Sequence, residues 1–388
     1  MTRRALELAI TALAAGGDGV GRDDTGRVTF VPRTAPGDRV RVAVTEQHKS
    51  FARGELVDVI AASGDRVEPP CAHFREGCGG CQWQHVARPA QVAAKQALVT
   101  NALRKLGVAV EPVADPCPPY GWRRRARFHV MGGKVGLFQH ASHRVLPIAT
   151  CPQLEPELDA ARAAVAASSP PDGELALVRG HRGEIVVGLA RPWRLAARLV
   201  GRAGIVGVIA GDARHGQTVI ELEPGLTGGP WDFAQASAAG NAALVQLARA
   251  AVGKGPGTLV ELYAGSGNFT RAFVADGWEV LASDLTGPAG RVDGARFEVG
   301  PAPEVLARVT GPVDAVVLDP PRTGAADAVA GIVELAPRAI VYVSCDPATL
   351  ARDAGRLVEA GYRAERAWPV DVMPQTSHVE IVMRLSRS

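Results

Sequence analysis

The sequence predicts a three-part α/β chain: a small antiparallel β-barrel over residues 1–62, a mixed α+β segment over 63–230, and a doubly wound parallel-sheet domain over 231–388. Three observations carry this. Short runs that alternate apolar and polar side chains fill the first sixty residues, separated by Gly, Pro and Asp turns. A cysteine- and glycine-rich stretch, one long helix and several strand-like runs follow. From Trp231 the texture changes to near-continuous apolar strands alternating with helices at short intervals, the pattern of a parallel sheet covered on both faces. The 388 residues suffice for two or three cores.

In the first part the runs are Leu6-Glu7-Leu8-Ala9-Ile10, Arg27-Val28-Thr29-Phe30-Val31 and Asp38-Arg39-Val40-Arg41-Val42. The turn from Gly16 to Gly21 looks like a phosphate loop, but no buried strand precedes it and no helix follows, so it reads as hairpin chemistry. Next comes Cys71-Ala72-His73-Phe74-Arg75-Glu76-Gly77-Cys78-Gly79-Gly80-Cys81, and then a helix from about Pro89 to Leu106. The middle segment contains strand-like stretches at 125–130, 175–178 and 184–189 and ends near Gly229. A long Ala-rich helix runs from Ala238 to Val252, and strands are expected at 258–262, 279–283, 313–318 and 339–343. In such a sheet the ligand sits at the carboxyl ends of the strands.

Charge and cysteine usage bound the function. With 43 Lys+Arg against 40 Asp+Glu the net charge is +3, so a nucleic-acid role requires locally concentrated basic residues. No apolar stretch reaches the length of a membrane span and no signal region is evident, so the expected compartment is the cytoplasm. Six cysteines in a chain of this length are too few for a disulfide scaffold and read as metal ligands or nucleophiles.

Four groups fall at strand ends. Glu261-Leu262-Tyr263-Ala264-Gly265-Ser266-Gly267-Asn268 joins a strand to a helix, and Asp284 ends the next strand, placed to accept ribose hydroxyls. The full dinucleotide fingerprint and the P-loop lysine are missing, so an adenosine without phosphates fits better than NAD or ATP. Leu318-Asp319-Pro320-Pro321-Arg322 makes a stiff rim; Arg322 replaces the aromatic residue of amino-group methylases and argues against that chemistry. Val343-Ser344-Cys345-Asp346-Pro347 places a thiol just before a helix, where the dipole is expected to lower its pKa, so Cys345 is a candidate nucleophile rather than a structural cysteine. In Ser377-His378-Val379-Glu380, Glu380 is either a solvated edge residue or a buried base, and His378 reads as an ordinary strand-entry residue.

Taken together these residues resemble the RNA 5-methyluridine methyltransferases that use S-adenosylmethionine, in the branch with an N-terminal TRAM domain and an iron-sulfur cluster, the 23S rRNA uracil-5 type. The resemblance spans nearly the whole chain, through the barrel, Cys78–His85, Phe233-Ala234-Gln235, Glu261–Asn268, Asp319–Gly324, Ser344–Pro347 and His378–Glu380. It implies an OB-like TRAM barrel at 1–62, an iron-sulfur and RNA-binding segment at 63–230, and a Rossmann-like class I methyltransferase domain at 231–388. It also implies Cys345 as the nucleophile that adds to uracil carbon 6 and Glu380 as the base that then takes the carbon 5 proton. By the same resemblance the cofactor contacts fall on Gln235, Tyr263, Asn268, Asp284 and Asp319, with Arg322 anchoring the uracil or its phosphate.

Cys71, Cys78, Cys81 and Cys151 become the ligands of a 4Fe-4S cluster; spacing alone leaves zinc open as the rival. Cys117 is left over as structural. The stripe Trp122-Arg123-Arg124-Arg125-Ala126-Arg127-Phe128-His129 reads as RNA contact. The expected partner is ribosomal RNA, with transfer RNA or a catalytically impaired RNA-binding assembly factor as alternatives; a monomer and no membrane are expected. The chain departs from the family between Asp284 and Phe297, where Gly287, Pro288, Gly290 and Gly294 disfavour the usual crossover helix, and at Ser237 and Tyr263, where Asn and Phe are usual.

Overall fold

A computed structural model of the chain describes residues 5–287 and 292–387. Strands β1 (Ala5–Leu13), β2 (Gly19–Arg22), β3 (Val28–Val31), β4 (Arg39–Gln47) and β5 (Phe51–Ala61) close a barrel in the order β1-β2-β3-β5-β4. Period-two alternation turns Leu8, Ile10, Val31, Val40 and Val42 inward as its core. The β1–β2 turn uses Gly17 at φ 98°, in the left-handed region, and its carbonyl accepts from Trp83 Nε1 at 2.9 Å. That bond docks the barrel onto the cysteine-bearing segment.

The segment contains α1 (Ala72–Arg75), α2 (Arg88–Leu103), a 3₁₀ turn at Arg104–Leu106 and β6 (Ala109–Val110). Helix α2 buries Gln91, Lys95, Val99 and Leu103, which recur every four residues on one face. Its polar members meet the loop that precedes the last strand: Lys95 Nζ lies 2.6 Å from Asp371 Oδ1, and Gln91 Nε2 donates to Gln375 Oε1 at 2.9 Å.

A seven-stranded sheet follows, built of β7 (Arg125–Met131), β8 (Lys134–Phe138), β9 (Val145–Pro147), β10 (Gly173–Arg179), β11 (Ile185–Leu189), β12 (Ile205–Ala210) and β13 (Ala213–Gly216), in the order β13-β12-β11-β10-β7-β8-β9. Helix α3 (Pro156–Ala166) packs Leu158, Ala161 and Val165 into the sheet's core. A hairpin, β14 (Ile220–Glu223) and β15 (Leu226–Gly228), leads to the last part.

There α4 (Ala238–Val252), β16 (Thr258–Leu262), α5 (Thr270–Ala275), β17 (Glu279–Asp284), β18 (Ala295–Val299), α6 (Ala302–Arg308), β19 (Ala315–Leu318), α7 (Val329–Leu335), β20 (Ala339–Ser344), α8 (Pro347–Glu359), β21 (Tyr362–Val370) and β22 (Glu380–Arg387) form one sheet with its helices. The strand order is β18-β17-β16-β19-β20-β22-β21-β6. Strands β16 to β20 are parallel, and β22 inserts antiparallel between β20 and β21. Separate apolar cores flank the two faces, one around Leu306, Ile332, Tyr342 and Leu357, the other around Leu244, Phe273, Trp278 and Val382.

The strand order reverses between β16 and β19, which opens the ligand crevice of such sheets at those strand ends. Among the described residues no helix stands between β17 and β18, and Leu285 and Val299 are exposed; Pro288 and Gly290 lie outside the described residues. No helix among the described residues is long and apolar enough to cross a membrane.

Candidate active site

Register assembles the site. Leu262 pairs with both Ser283 and Leu318, Leu318 pairs with Tyr342, and Ser344 pairs with Ile381. The residues one step beyond these pairs therefore share one edge: Tyr263, Asp284, Asp319, Cys345 and Glu380. Because β22 runs antiparallel to β20, Cys345 leaves one strand where Glu380 enters its neighbour. Four motifs separated by up to 119 positions in the chain become adjacent through hydrogen-bond registry alone.

The edge is rich in buried acid. Glu380 is 6% exposed, and its carboxyl is pushed up to about 8 by burial and by Asp319, with Arg322 opposing. Asp319 is pushed up to about 7 by burial. Glu261 accepts from Thr270 Oγ1 at 2.7 Å and is likewise pushed up to about 8, chiefly by burial. It was not among the expected site residues, although a glutamate inside an apolar strand is a readable signal.

Three expectations are corrected here. Cys345 does not have a lowered pKa: burial, then the neighbouring Glu380, push its thiol up to about 11, with Arg322 and a backbone hydrogen bond pulling the other way. The helix terminus that was expected to help it is capped by Asp346, whose carboxylate accepts from the amides of Ala348 and Thr349 at 2.9 Å each. His378 is not an ordinary strand-entry residue. Its ring nitrogens lie 3.2 Å from Arg322 Nη2, and burial with nearby cations pushes its pKa down to about 4, which leaves a neutral imidazole beside a guanidinium. The edge alternative for Glu380 falls too, since β22 lies inside the sheet.

On the adenosine side, Asp284 Oδ2 accepts from Gly265 N at 2.9 Å, which holds the loop against the next strand end. A Cβ added at Gly265, φ 55°, would meet only open space, so this backbone can be approached by a ligand. Tyr263 is itself left-handed, at φ 59°, and its hydroxyl lies beside Asp327. Asn268 forms a reciprocal amide pair with Asn241 on α4, with contacts of 3.0 and 2.7 Å. Gln235 is half-buried just before α4, its carbonyl 3.4 Å from Arg124 Nε. Ser237 caps α4 by accepting from Gly240 N, and its hydroxyl lies 3.0 Å from the buried Cys117. Asn241 and Asp327, like Glu261, were not expected from the sequence.

Cys71, Cys78, Cys81 and Cys151 line one cavity, together with His73, Gln84 and Arg123. Gly80 is closely packed there: a Cβ added to it would meet Leu137 Cδ1 at 3.1 Å and Cys78 Sγ at 3.5 Å. Burial pushes the thiols of Cys78 and Cys81 up to about 11 and about 12. Among the described residues no three His, Cys, Asp or Glu side chains form a group that could hold a metal ion as they stand. The donor set is nevertheless all thiol, and binding a metal would release their protons.

The basic stripe is not one surface, which corrects its reading as continuous RNA contact. Trp122 is buried, Arg123 lines the thiol cavity, and Arg124 is buried against Glu223 and donates to Leu222 O at 3.2 Å. On β7 the alternation brings Arg125, Arg127 and His129 to the opposite face from Ala126 and Phe128. Arg125 sits 5.8 Å over Phe233, which is 62% exposed, Arg127 sits 5.7 Å over Trp231, and His129 stacks on Phe138 at 3.8 Å.

Comparison with known proteins agrees with this architecture. A TRAM domain model matches residues 1–57, and a tRNA (uracil-5-)-methyltransferase model matches residues 311–388. A 23S rRNA (uracil(1939)-C(5))-methyltransferase RlmD of Thiobacillus denitrificans is 34% identical over 422 residues, covering 96% of this chain and 97% of that protein. An uncharacterized RNA methyltransferase of Thermosynechococcus vestitus is 32% identical, covering 99% and 98%. The crystal structure of Pyrococcus abyssi tRNA (uracil-54, C5)-methyltransferase with S-adenosyl-L-homocysteine shares the fold, with a TM-score of 0.77 at 23% identity, covering 98% of this chain and 100% of that one. With a relative this similar along nearly its whole length, the chain belongs to the RNA (uracil-5-)-methyltransferase family, in the form that carries a TRAM domain.

Proposed function

We propose that this chain methylates carbon 5 of a uridine in 23S rRNA, with Cys345 as nucleophile and Glu380 as base. The observation that carries the reading is the register that brings Cys345 and Glu380 to adjoining strand ends, on the same sheet edge as the crevice where the strand order reverses between β16 and β19. S-adenosylmethionine, when bound, supplies an electrophilic methyl group on a sulfonium. Gln235, Tyr263, Asn268, Asp284 and Asp319 are the residues proposed to hold it, with Gly265 offering open backbone.

Carbon 5 of uracil is a weak nucleophile, so the Cys345 sulfur first adds to carbon 6 and pushes the ring electrons toward carbon 5. The thiol must lose its proton for this, and Arg322 is the cation placed to favour the thiolate. Once carbon 5 carries both methyl and hydrogen, Glu380 removes that proton and the sulfur departs, restoring the ring. A carboxyl held near 8 exists in both protonation states close to neutral pH, which suits a group that must take up and release a proton each cycle.

The division 1–62, 63–230 and 231–388 gives each part a task in this reading. The barrel and the Arg125–Arg127–His129 ledge bind RNA, stacking cations and aromatic rings against unstacked bases. Cys71, Cys78, Cys81 and Cys151 hold a 4Fe-4S cluster, with zinc as the alternative occupant. The test is to map 5-methyluridine by mass spectrometry in total RNA from wild-type and gene-deleted cells. Loss of one 23S rRNA site is expected. Loss from transfer RNA alone would move the substrate, and unchanged 5-methyluridine everywhere would overturn the reading.

A further inference from the structure

Among the described residues the fully buried Lys and Arg side chains come with carboxylates, whereas the half-buried Arg123 and Arg125 have none, and of these Arg123 is the one beside the thiols. Lys95 meets Asp371 at 2.6 Å, Arg162 meets Asp159 at 2.6 Å, and Arg124 meets Glu223. Among the described residues Arg123 has no carboxylate and no side-chain hydrogen bond, and its Nε is buried without a partner. Its guanidinium lies 5.3 Å from the Trp122 ring and lines the cavity that the four thiols share. The backbone fixes it there: Arg123 N donates to Gln153 O at 2.9 Å, and Glu155 N donates to Arg123 O at 2.9 Å, close to Cys151. A partly buried guanidinium with an unpartnered Nε is costly, and an anion in the cavity would offset that cost.

No carboxylate lines the cavity to supply that anion. Four thiolates around a doubly positive core, whether a 4Fe-4S cluster or one zinc ion, leave a net negative centre, and outer-shell partners tune how firmly such a centre is held. We infer that Arg123 is the built-in counter-cation of the tetrathiolate centre formed by Cys71, Cys78, Cys81 and Cys151, and that its charge sets how firmly that centre is retained and how readily it accepts an electron. The inference rests on the proposed thiolate-held centre.

The experiment uses the full chain purified without oxygen, as wild type, R123Q and R123K, with iron, sulfide and zinc quantified before each is challenged with EDTA. In R123Q, metal loss is expected to be about 10- to 100-fold faster than in wild type, the scale on which outer-shell partners act. A reductive titration followed by electron paramagnetic resonance is expected to place the R123Q cluster at a more negative potential, because removing a positive charge disfavours the added electron. R123K keeps the charge and is expected to stay close to wild type in potential. Brown R123Q with wild-type loss kinetics and potential would overturn the inference while leaving the cluster intact. Should R123Q not fold, an R123K potential shifted strongly negative would overturn it equally. A colourless, zinc-loaded wild type would end the iron reading alone, since zinc release from the variants still tests Arg123; a chain that holds neither metal would end both.

Discussion

The strand-end edge and the thiol cavity solve opposite electrostatic problems. At the edge, Asp319 and Glu380 lie beside Cys345 with Arg322 as the opposing cation, and Glu261 is buried within the neighbouring strand, so each proton is held more tightly than in water. In the cavity, Arg123 stands among four cysteines with no carboxylate beside it. The edge thus keeps the proposed nucleophile protonated until a substrate reorganises the local charge, whereas the cavity lacks a negative group unless, as proposed, its thiols ionise onto a metal. The lesson is that one residue type, cysteine, takes its chemistry from the sign of the surplus charge around it.

The comparison breaks most sharply at the edge. Cys345→Ala is expected to lower turnover by roughly 10⁴-fold or more, the scale of nucleophile deletions, and to abolish the covalent complex with 5-fluorouridine RNA. A surviving complex on denaturing gels would place the nucleophile elsewhere. Glu380→Gln is expected to slow turnover by about 10²- to 10⁴-fold, while a covalent complex with natural RNA accumulates, because addition proceeds and proton removal does not. Absence of that accumulation would separate Glu380 from the elimination step.

The surplus acid also predicts pH effects. Glu380, held near 8, and Cys345, held near 11, must both lose protons, so kcat/KM is expected to rise with pH through the neutral range toward 9. A profile already flat above pH 6 would contradict this. For stability the sign follows from the raised carboxyl of Glu261: its contribution is fully present below the unfolded value of 4.5 and is lost as pH rises through about 8. Glu261→Gln is therefore expected to gain melting temperature relative to wild type at pH 8.5 but not at pH 4.5.

The smallest effect belongs to the ledge. Arg127→Ala is expected to weaken RNA binding modestly and to flatten the salt dependence of affinity by about one unit of slope or less, without changing which uridine is modified. Filter binding at several salt concentrations measures it.

Much of the fold was legible because it is written in local periodicity. The helix from Ala238 to Val252 and the strand from Thr258 to Leu262 have the bounds that the apolar pattern suggested, and the barrel's alternation is visible residue by residue. The positions of Cys345 and Glu380 at strand ends were legible for the same reason. Asn241 and Asp327 were not, because nothing local distinguishes a polar residue on an exposed helix face from one that reaches across to Asn268 or Tyr263.

The sequence by itself determined which elements form and which reactive groups end them, since side-chain periodicity and turn chemistry act within a few residues. Only the tertiary structure decided the signs of the charges. Whether Cys345 is a thiol or a thiolate, whether Arg123 faces RNA or sulfur, and whether His378 is idle or set against Arg322 all depend on burial. Burial is created by segments that are distant in the chain and become neighbours only through packing.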